Sequence, residues 1–396
     1  MGRHMLVELV RFINEQHGTA FAPLGRYPAG EQGAFAVAEG GDDHAPRFVL
    51  KWARGAGSTD DLRNAAALTD RLRAVGYPTP RYRLVGVAPP LGVVYSVQEA
   101  LPGTPLGGRL DGPLLDRLLE LNALQRGMAG TAAGDWPRAA VDPVLHGGDG
   151  FCLLDPLRTH SAATAALLGT LQRLVAAGAD ARAPTDDVVH FDFQGANILA
   201  DRGRVSGVVD WEGCRAGDRA FDLATLFFYA DEDSGADPGQ RDRLWRLLLA
   251  RAGPRLLGVY LAHLVLRQVD WSIRFHDPAT VERWLGRADE VLRRLSATTE
   301  DGHTIPPTAS STGETQRQTT SKPTRGQRKR GPVAGRERGP GASETAERCP
   351  KSRSRLPSLP PNRRLARGTT QRGYPRASAA LLRGRAPVRG ATAGPS

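Results

Sequence analysis

His190, Asp192, Asn197 and Asp210 sit within one stretch, Val188 to Tyr229, at a spacing that phosphoryl transfer can use. Carboxylate and amide oxygens are hard donors. Mg2+ takes only a few of them from a protein and completes its shell with water and substrate phosphates. A further Asp near such a cation, but not saturated by it, can accept the proton of an attacking hydroxyl. The plainer alternative is a polar loop whose Asp and Asn cap turns.

The surrounding residues must bring these groups together. Val188 and Val189 form a short apolar entry. Ile198-Leu199-Ala200, a turn at Asp201-Arg202-Gly203-Arg204, and Val205 to Val209 read as a β-hairpin. Asn197 then starts one strand, Asp210 ends its partner, and Asp192 lies on the loop feeding the pair. The spacing His190-Phe191-Asp192, four residues, Asn197 equals that of the kinase catalytic loop H-R-D-x-x-x-x-N.

HFDFQGANIL, GVVDWE and GDRAFDLA together resemble the aminoglycoside phosphotransferase family, with its choline-kinase-like relatives and protein-kinase-like fold. The family typically reads H-G-D-x-H-x-x-N-(I/V)-L, then G-(V/I)-I-D-W-E, then G-D-x-x-x-D-L-A. The resemblance implies Asp192 as catalytic base, Asn197 and Asp210 as Mg2+ ligands, and ATP as the phosphoryl donor. It gives Asp218 and Asp222 a structural role, holding the catalytic loop and capping the next helix. Phe191 stands where the family has Gly, and Phe193-Gln194 replaces an often His-containing pair.

Upstream, residues 5–17 read as a helix with Leu6, Leu9, Val10 and Ile13 on one face. A glycine-bearing turn follows, with Gly30, Gln32 and Gly33 as candidate phosphate contacts, because backbone N–H groups in such a turn approach phosphates closely. Phe48-Val49-Leu50-Lys51 matches the strand-borne Lys pattern V-A-I-K, so Lys51 is expected on the α- and β-phosphates. The helix from Thr59 to Val75 should carry its partner carboxylate. Asn64 occupies the place where the family commonly has Glu, and Asp60, Asp61 and Asp70 remain as alternatives. Val93 to Glu99 reads as a strand ending in the turn Ala100-Leu101-Pro102-Gly103. By resemblance this is the hinge between lobes, with adenine bonded to backbone groups near Glu99 and Leu101.

Downstream come a Leu-rich helix from Leu114 to Met128, a Gly/Ala/Pro-rich loop over 129–150, and one long helix or two over 156–177. Helices at 241–251, 256–275 and 278–295 follow the organising stretch. The resemblance makes this end the acceptor wall. Asp231, Glu232, Asp233, Asp270 and Glu282 are its candidate acidic residues, and Trp271 and His276 are further candidates.

Residues 301–396 carry 20 of the 53 Lys and Arg but five of the 42 Asp and Glu. Their formal charge is therefore +15, against −4 for residues 1–300, and the basic balance belongs to the tail. Arg, Pro, Gly, Ser and Thr dominate there, so a disordered tail is expected over 297–396. Cys152, Cys214 and Cys349 show no metal spacing, and no apolar run is long enough for a membrane span, which suits a cytoplasmic protein. The expected architecture is α+β and two-lobed. A small nucleotide-binding lobe of antiparallel sheet plus helix covers 5–101, and a mostly helical catalytic lobe covers 102–296. The expected activity is Mg-dependent transfer of the γ-phosphoryl group of ATP to a hydroxyl of a small molecule, an aminoglycoside-like antibiotic or a metabolite. The alternatives are a non-catalytic nucleotide-binding relative and a nucleic-acid-associated protein acting through the tail. No membrane partner is expected.

Overall fold

In a computed structural model of the chain, the described residues are 3–27, 34–40, 48–54, 59–130, 135–231 and 235–300. Gly30, Gln32, Gly33, Glu232, Asp233 and the tail from 301 lie outside them.

The chain opens with helix α1 (Arg3–His17), then strands β1 (Phe21–Arg26), β2 (Phe35–Glu39) and β3 (Phe48–Arg54), helix α2 (Thr59–Ala74), and strands β4 (Tyr82–Ala88) and β5 (Val93–Glu99). The five strands form one antiparallel sheet in the order β1-β2-β3-β5-β4. Side chains alternate faces along a strand, and directly paired residues share a face. Leu50, Val93, Tyr95 and Val97 therefore point to one side, where Leu6, Leu9, Val10 and Ile13 of α1 cover them in a buried cluster. Lys51 pairs with Ser96, so Lys51, Ser96 and Gln98 share the opposite face. The same alternation that builds this core thus delivers the Lys51 ammonium to the other side of the sheet.

The larger part is mostly helical. It comprises β6 (Thr104–Pro105), α3 (Gly112–Leu124), α4 (Trp136–His146), α5 (Leu154–His160), α6 (Ala162–Gly178), β7 (Asp187–Val189), β8 (Ile198–Asp201), β9 (Arg204–Val208), β10 (Arg215–Gly217), α7 (Ala220–Tyr229), α8 (Pro238–Phe275) and α9 (Pro278–Glu300). Together the two parts make the expected α+β arrangement. Ser161 separates α5 from α6 through a capping box with Thr164. Gly253, at φ 69°, and Pro254 break α8 between the two segments the sequence suggested. The expected loop at 129–150 is in part a helix. Asp135 caps α4, Pro137 falls in its first turn where no N–H is needed, and Trp136 is fully buried. Gly, Ala and Pro composition hid a segment whose Trp136, Ala140 and Val144 are all buried.

A second buried cluster runs through α3 to α9 and takes in Ala65, Leu68 and Leu72 of α2. So α2 shares the core of the larger part rather than that of the sheet's α1 side. Arg287 of α9 closes the C-terminal end of α7 by donating to the carbonyls of Phe227, Phe228 and Ala230. Among the described residues no helix is long and apolar enough to cross a membrane.

Candidate active site

The loop between β7 and β8 carries His190 to Asn197. Its shape is set from behind by Asp222, in the first turn of α7. That carboxylate accepts the backbone N–H groups of His190 at 2.8 Å and Phe191 at 2.9 Å, and the side-chain amide of Gln125 at 2.6 Å. Asp218 accepts from the backbone of Ala220 and the Tyr260 hydroxyl. Both acidic residues thus serve as scaffolding. His190 is fully buried, and burial lowers its pKa. The Val209 carbonyl, 2.9 Å from Nε2, can only accept, and the Asp192 N–H, 3.2 Å from Nδ1, can only donate. These neighbours fix one neutral tautomer, so His190 braces the loop.

Phe191 adopts φ 73°, a left-handed conformation in which Gly is unstrained. Its ring stacks on Phe221 at 5.0 Å, and the Arg215 guanidinium lies 3.9 Å from the ring centre. Stacking and cation–π attraction, each about 0.5–2 kcal/mol, offset a backbone strain of similar size. Phe191 is thus held in this conformation without the freedom of Gly.

β8 and β9 form the expected hairpin. Arg202 and Gly203 both have positive φ, as a two-residue turn of this kind requires. Beyond the paired strands, the Val209 N–H donates to the Asn197 carbonyl at 2.9 Å, which brings Asp210 to the end that carries Asn197. Asn197 turns its amide nitrogen to the Asp192 carboxylate at 2.8 Å. From the sheet, Lys51 reaches Asp210 at 2.9 Å and Glu212 at 3.1 Å. Burial works against both charges of the Lys51–Asp210 pair. Their mutual attraction outweighs it, holding Asp210 well below the usual carboxylate range and raising Lys51. Burial raises Glu212, which shares Lys51 with Asp210 and takes a 3.0 Å hydrogen bond from Gln98.

The expected partner for Lys51 on α2 is corrected here. Asn64 donates to the Cys214 carbonyl at 3.3 Å, and the two carboxylates on Lys51 come from the segment after β9. Glu212 carries a signal that was readable, an acid two residues beyond Asp210 in Asp-Trp-Glu. Arg267 of α8, which contacts Asp192 at 3.2 Å, carries none. Asp270 is also corrected. It is fully buried, paired with Arg274 and accepting the Leu153 N–H, so it presents no charge to an incoming cation. Asp231 is half-buried and lies in the field of Arg287, whereas Glu282 is exposed. Trp271 packs at 4.2 Å on Phe275, and the buried Nδ1 of His276 has no hydrogen-bond partner. Glu99 accepts from Arg73 and from the Arg81 backbone, while Leu101 packs over Gly207 of β9.

Among the described residues no group of three or more His, Cys, Asp or Glu is arranged to hold a metal. Asn197 and Asp210 instead supply one amide oxygen and one strongly ionised carboxylate. Such a small donor set fits a cation that takes its remaining ligands from water and phosphates.

A model of the phosphotransferase enzyme family matches residues 29–260, more than half of the chain. The chain belongs to this family. Its members in solved structures share the fold. The chain aligns with aminoglycoside phosphotransferase APH(4)-Ia at 20% identity and a TM-score of 0.53, covering 73% of this chain and 98% of that one. A ternary complex of a thermostable mutant of the same enzyme with AMP-PNP and hygromycin B aligns at 20% identity and a TM-score of 0.51, covering 72% and 97%. In sequence, 115 residues are 30% identical to hygromycin-B 4-O-kinase of Escherichia coli. That match takes in 28% of this chain and 32% of the relative, so the chain spans about a third of it.

Proposed function

We propose that the protein transfers the γ-phosphoryl group of ATP to a hydroxyl of a small aminoglycoside-like molecule. The observation that carries this reading is the junction of the catalytic loop, the hairpin end and the sheet through Asp192–Asn197 at 2.8 Å and Lys51–Asp210 at 2.9 Å. In the reaction a bond forms between the acceptor oxygen and the γ-phosphorus, and the bond from that phosphorus to the β–γ bridging oxygen breaks. Asp192 orients the hydroxyl and receives its proton. Lys51 balances phosphate charge, and Glu212 and Gln98 keep the ammonium in place. Asn197 and Asp210 are the residues that would hold Mg2+, which when bound supplies positive charge to the β- and γ-phosphates. The hinge at Glu99 and Leu101 is the adenine contact in this reading, and Gly30, Gln32 and Gly33 the phosphate cover. Asp231, with Glu232 and Asp233 beside it, is the acidic part of the acceptor wall. Most of the rate comes from positioning and preorganised charge.

The test is ATP consumption across an acceptor panel that begins with hygromycin B, with and without Mg2+. Asp192→Ala is expected to lower kcat by about 10²–10⁴-fold while nucleotide still binds. Nucleotide binding with no turnover on any acceptor would favour a non-catalytic relative.

A further inference from the structure

The Asp192 carboxylate is engaged from two sides. Gln194 contacts both of its oxygens, at 3.0 and 3.1 Å, and Asn197 takes Oδ2. Both residues belong to the catalytic loop itself. The third donor comes from far away in sequence. Arg267, in the second segment of α8, donates Nη2 to Asp192 Oδ1 at 3.2 Å and Nη1 to the Phe191 carbonyl at 2.8 Å. Its side chain is 9% exposed, and its buried Nε has no hydrogen-bond partner. Its two terminal nitrogens reach two consecutive residues of the catalytic loop.

We infer that Arg267 is a positioning residue for phosphoryl transfer, fixing the Asp192 carboxylate from α8 so that it meets the acceptor hydroxyl. This rests on the role given to Asp192 above. The planar guanidinium holds the peptide after Phe191 and the next side chain in one rigid unit. The need is local, because φ of 73° at Phe191 is a conformation that a residue other than Gly keeps only when its surroundings hold it. The guanidinium also balances the carboxylate charge in a nearly closed environment, where an unpaired ion is costly. A lysine retains the charge but cannot make both contacts with the same geometry.

Three variants, Arg267→Met, Arg267→Lys and Asp192→Asn, are compared in the full chain. Displacement of a reacting group by about 1 Å can cost about 10²-fold. Arg267→Met should therefore lose about 100-fold in kcat per nucleotide-binding site, with KM for ATP within about two-fold of wild type. Arg267→Lys should recover about ten-fold of that loss. A merely structural role would lower the melting temperature and the fraction of protein that binds nucleotide, and leave kcat per binding site unchanged. That result overturns the inference. If Arg267→Met does not fold, Arg267→Lys decides alone, and a wild-type kcat in it overturns the inference equally. Asp192→Asn separates the two levels. Full turnover in Asp192→Asn sinks the proposed function itself. An inactive Asp192→Asn beside a fully active Arg267→Met sinks only the role of Arg267.

Discussion

At the scale of single residues, Lys51 is held by two carboxylates of different character. Asp210 is strongly ionised, whereas Glu212 is raised by burial and tied to Gln98. This division of labour has a consequence. Asp210 is also a proposed cation ligand, and in that reading Glu212 is the partner that remains with Lys51 once nucleotide is in place. Replacing it by Gln keeps the shape and the hydrogen bond to Lys51, but removes the charge that makes such a bond about twice as strong. Glu212→Gln is expected to raise KM for ATP about ten-fold, one charge-assisted contact being worth about 1.5–3 kcal/mol against 0.5–1.5 for a neutral one. Steady-state kinetics at fixed acceptor read this directly, and an unchanged KM would leave Asp210 as the sole anchor of Lys51. The same residues show what was legible in the sequence. Asp192, Asn197, Asp210 and Lys51 stand at spacings that a local motif records. Arg267 meets Asp192 only through tertiary packing of α8, and no spacing encodes that approach. Asp270 was misread because an acidic side chain on a helix looks the same in sequence whether it faces a cleft or an internal Arg274.

At the scale of elements, α4, α7 and α8 meet the loop of His190 to Asn197 around aromatic rings. Phe191, Phe221, Trp136, Tyr260 and His263 touch one another there. His263 is fully buried, close to the Ala140 carbonyl at 3.1 Å, and burial pushes its pKa down to about 3. The unfolded chain titrates this group near its ordinary value of about 6.5. Between those values the unfolded state binds a proton that the folded state refuses, so stability is full above about 6.5 and is lost as pH falls. The loss is about 1.4 kcal/mol per pH unit, or about 2 kcal/mol at pH 5. His190 is shifted in the same direction and adds to the slope. His263→Gln should flatten the stability profile between pH 7 and 5 without abolishing it, as urea unfolding at several pH values will show. An unaltered slope would place the acid sensitivity elsewhere. The helices and strands themselves were readable because apolar periodicity marks them. α4 was not, since Gly, Ala and Pro in and around it read as loop, although Trp136, Ala140 and Val144 recur at helical spacing and are all buried.

For the molecule as a whole, two buried clusters face each other across the site. One joins α1 to the sheet, and the other runs from α2 through α9. Polar links bridge them, including Lys51 to Asp210 and Glu212, and Gln98 to Glu212. Polar links of this kind each contribute little net stability, whereas removing a buried Leu side chain costs about 2–5 kcal/mol. Damage to the small cluster should therefore stay local. Leu9 is fully buried against the sheet and touches none of the proposed site residues through hydrogen bonds. Leu9→Ala should speed hydrogen exchange in β1 to β5 and weaken nucleotide binding, because Lys51 rides on β3. Amides of α7 and the second segment of α8 should keep their wild-type protection. Nucleotide at about 100 times its Kd should restore about 2.7 kcal/mol to the variant, by binding only where both clusters are formed. Equal acceleration in α7 and α8 would mean that the two clusters unfold as a single unit, and the polar bridge across the site would then be far stronger than its component bonds.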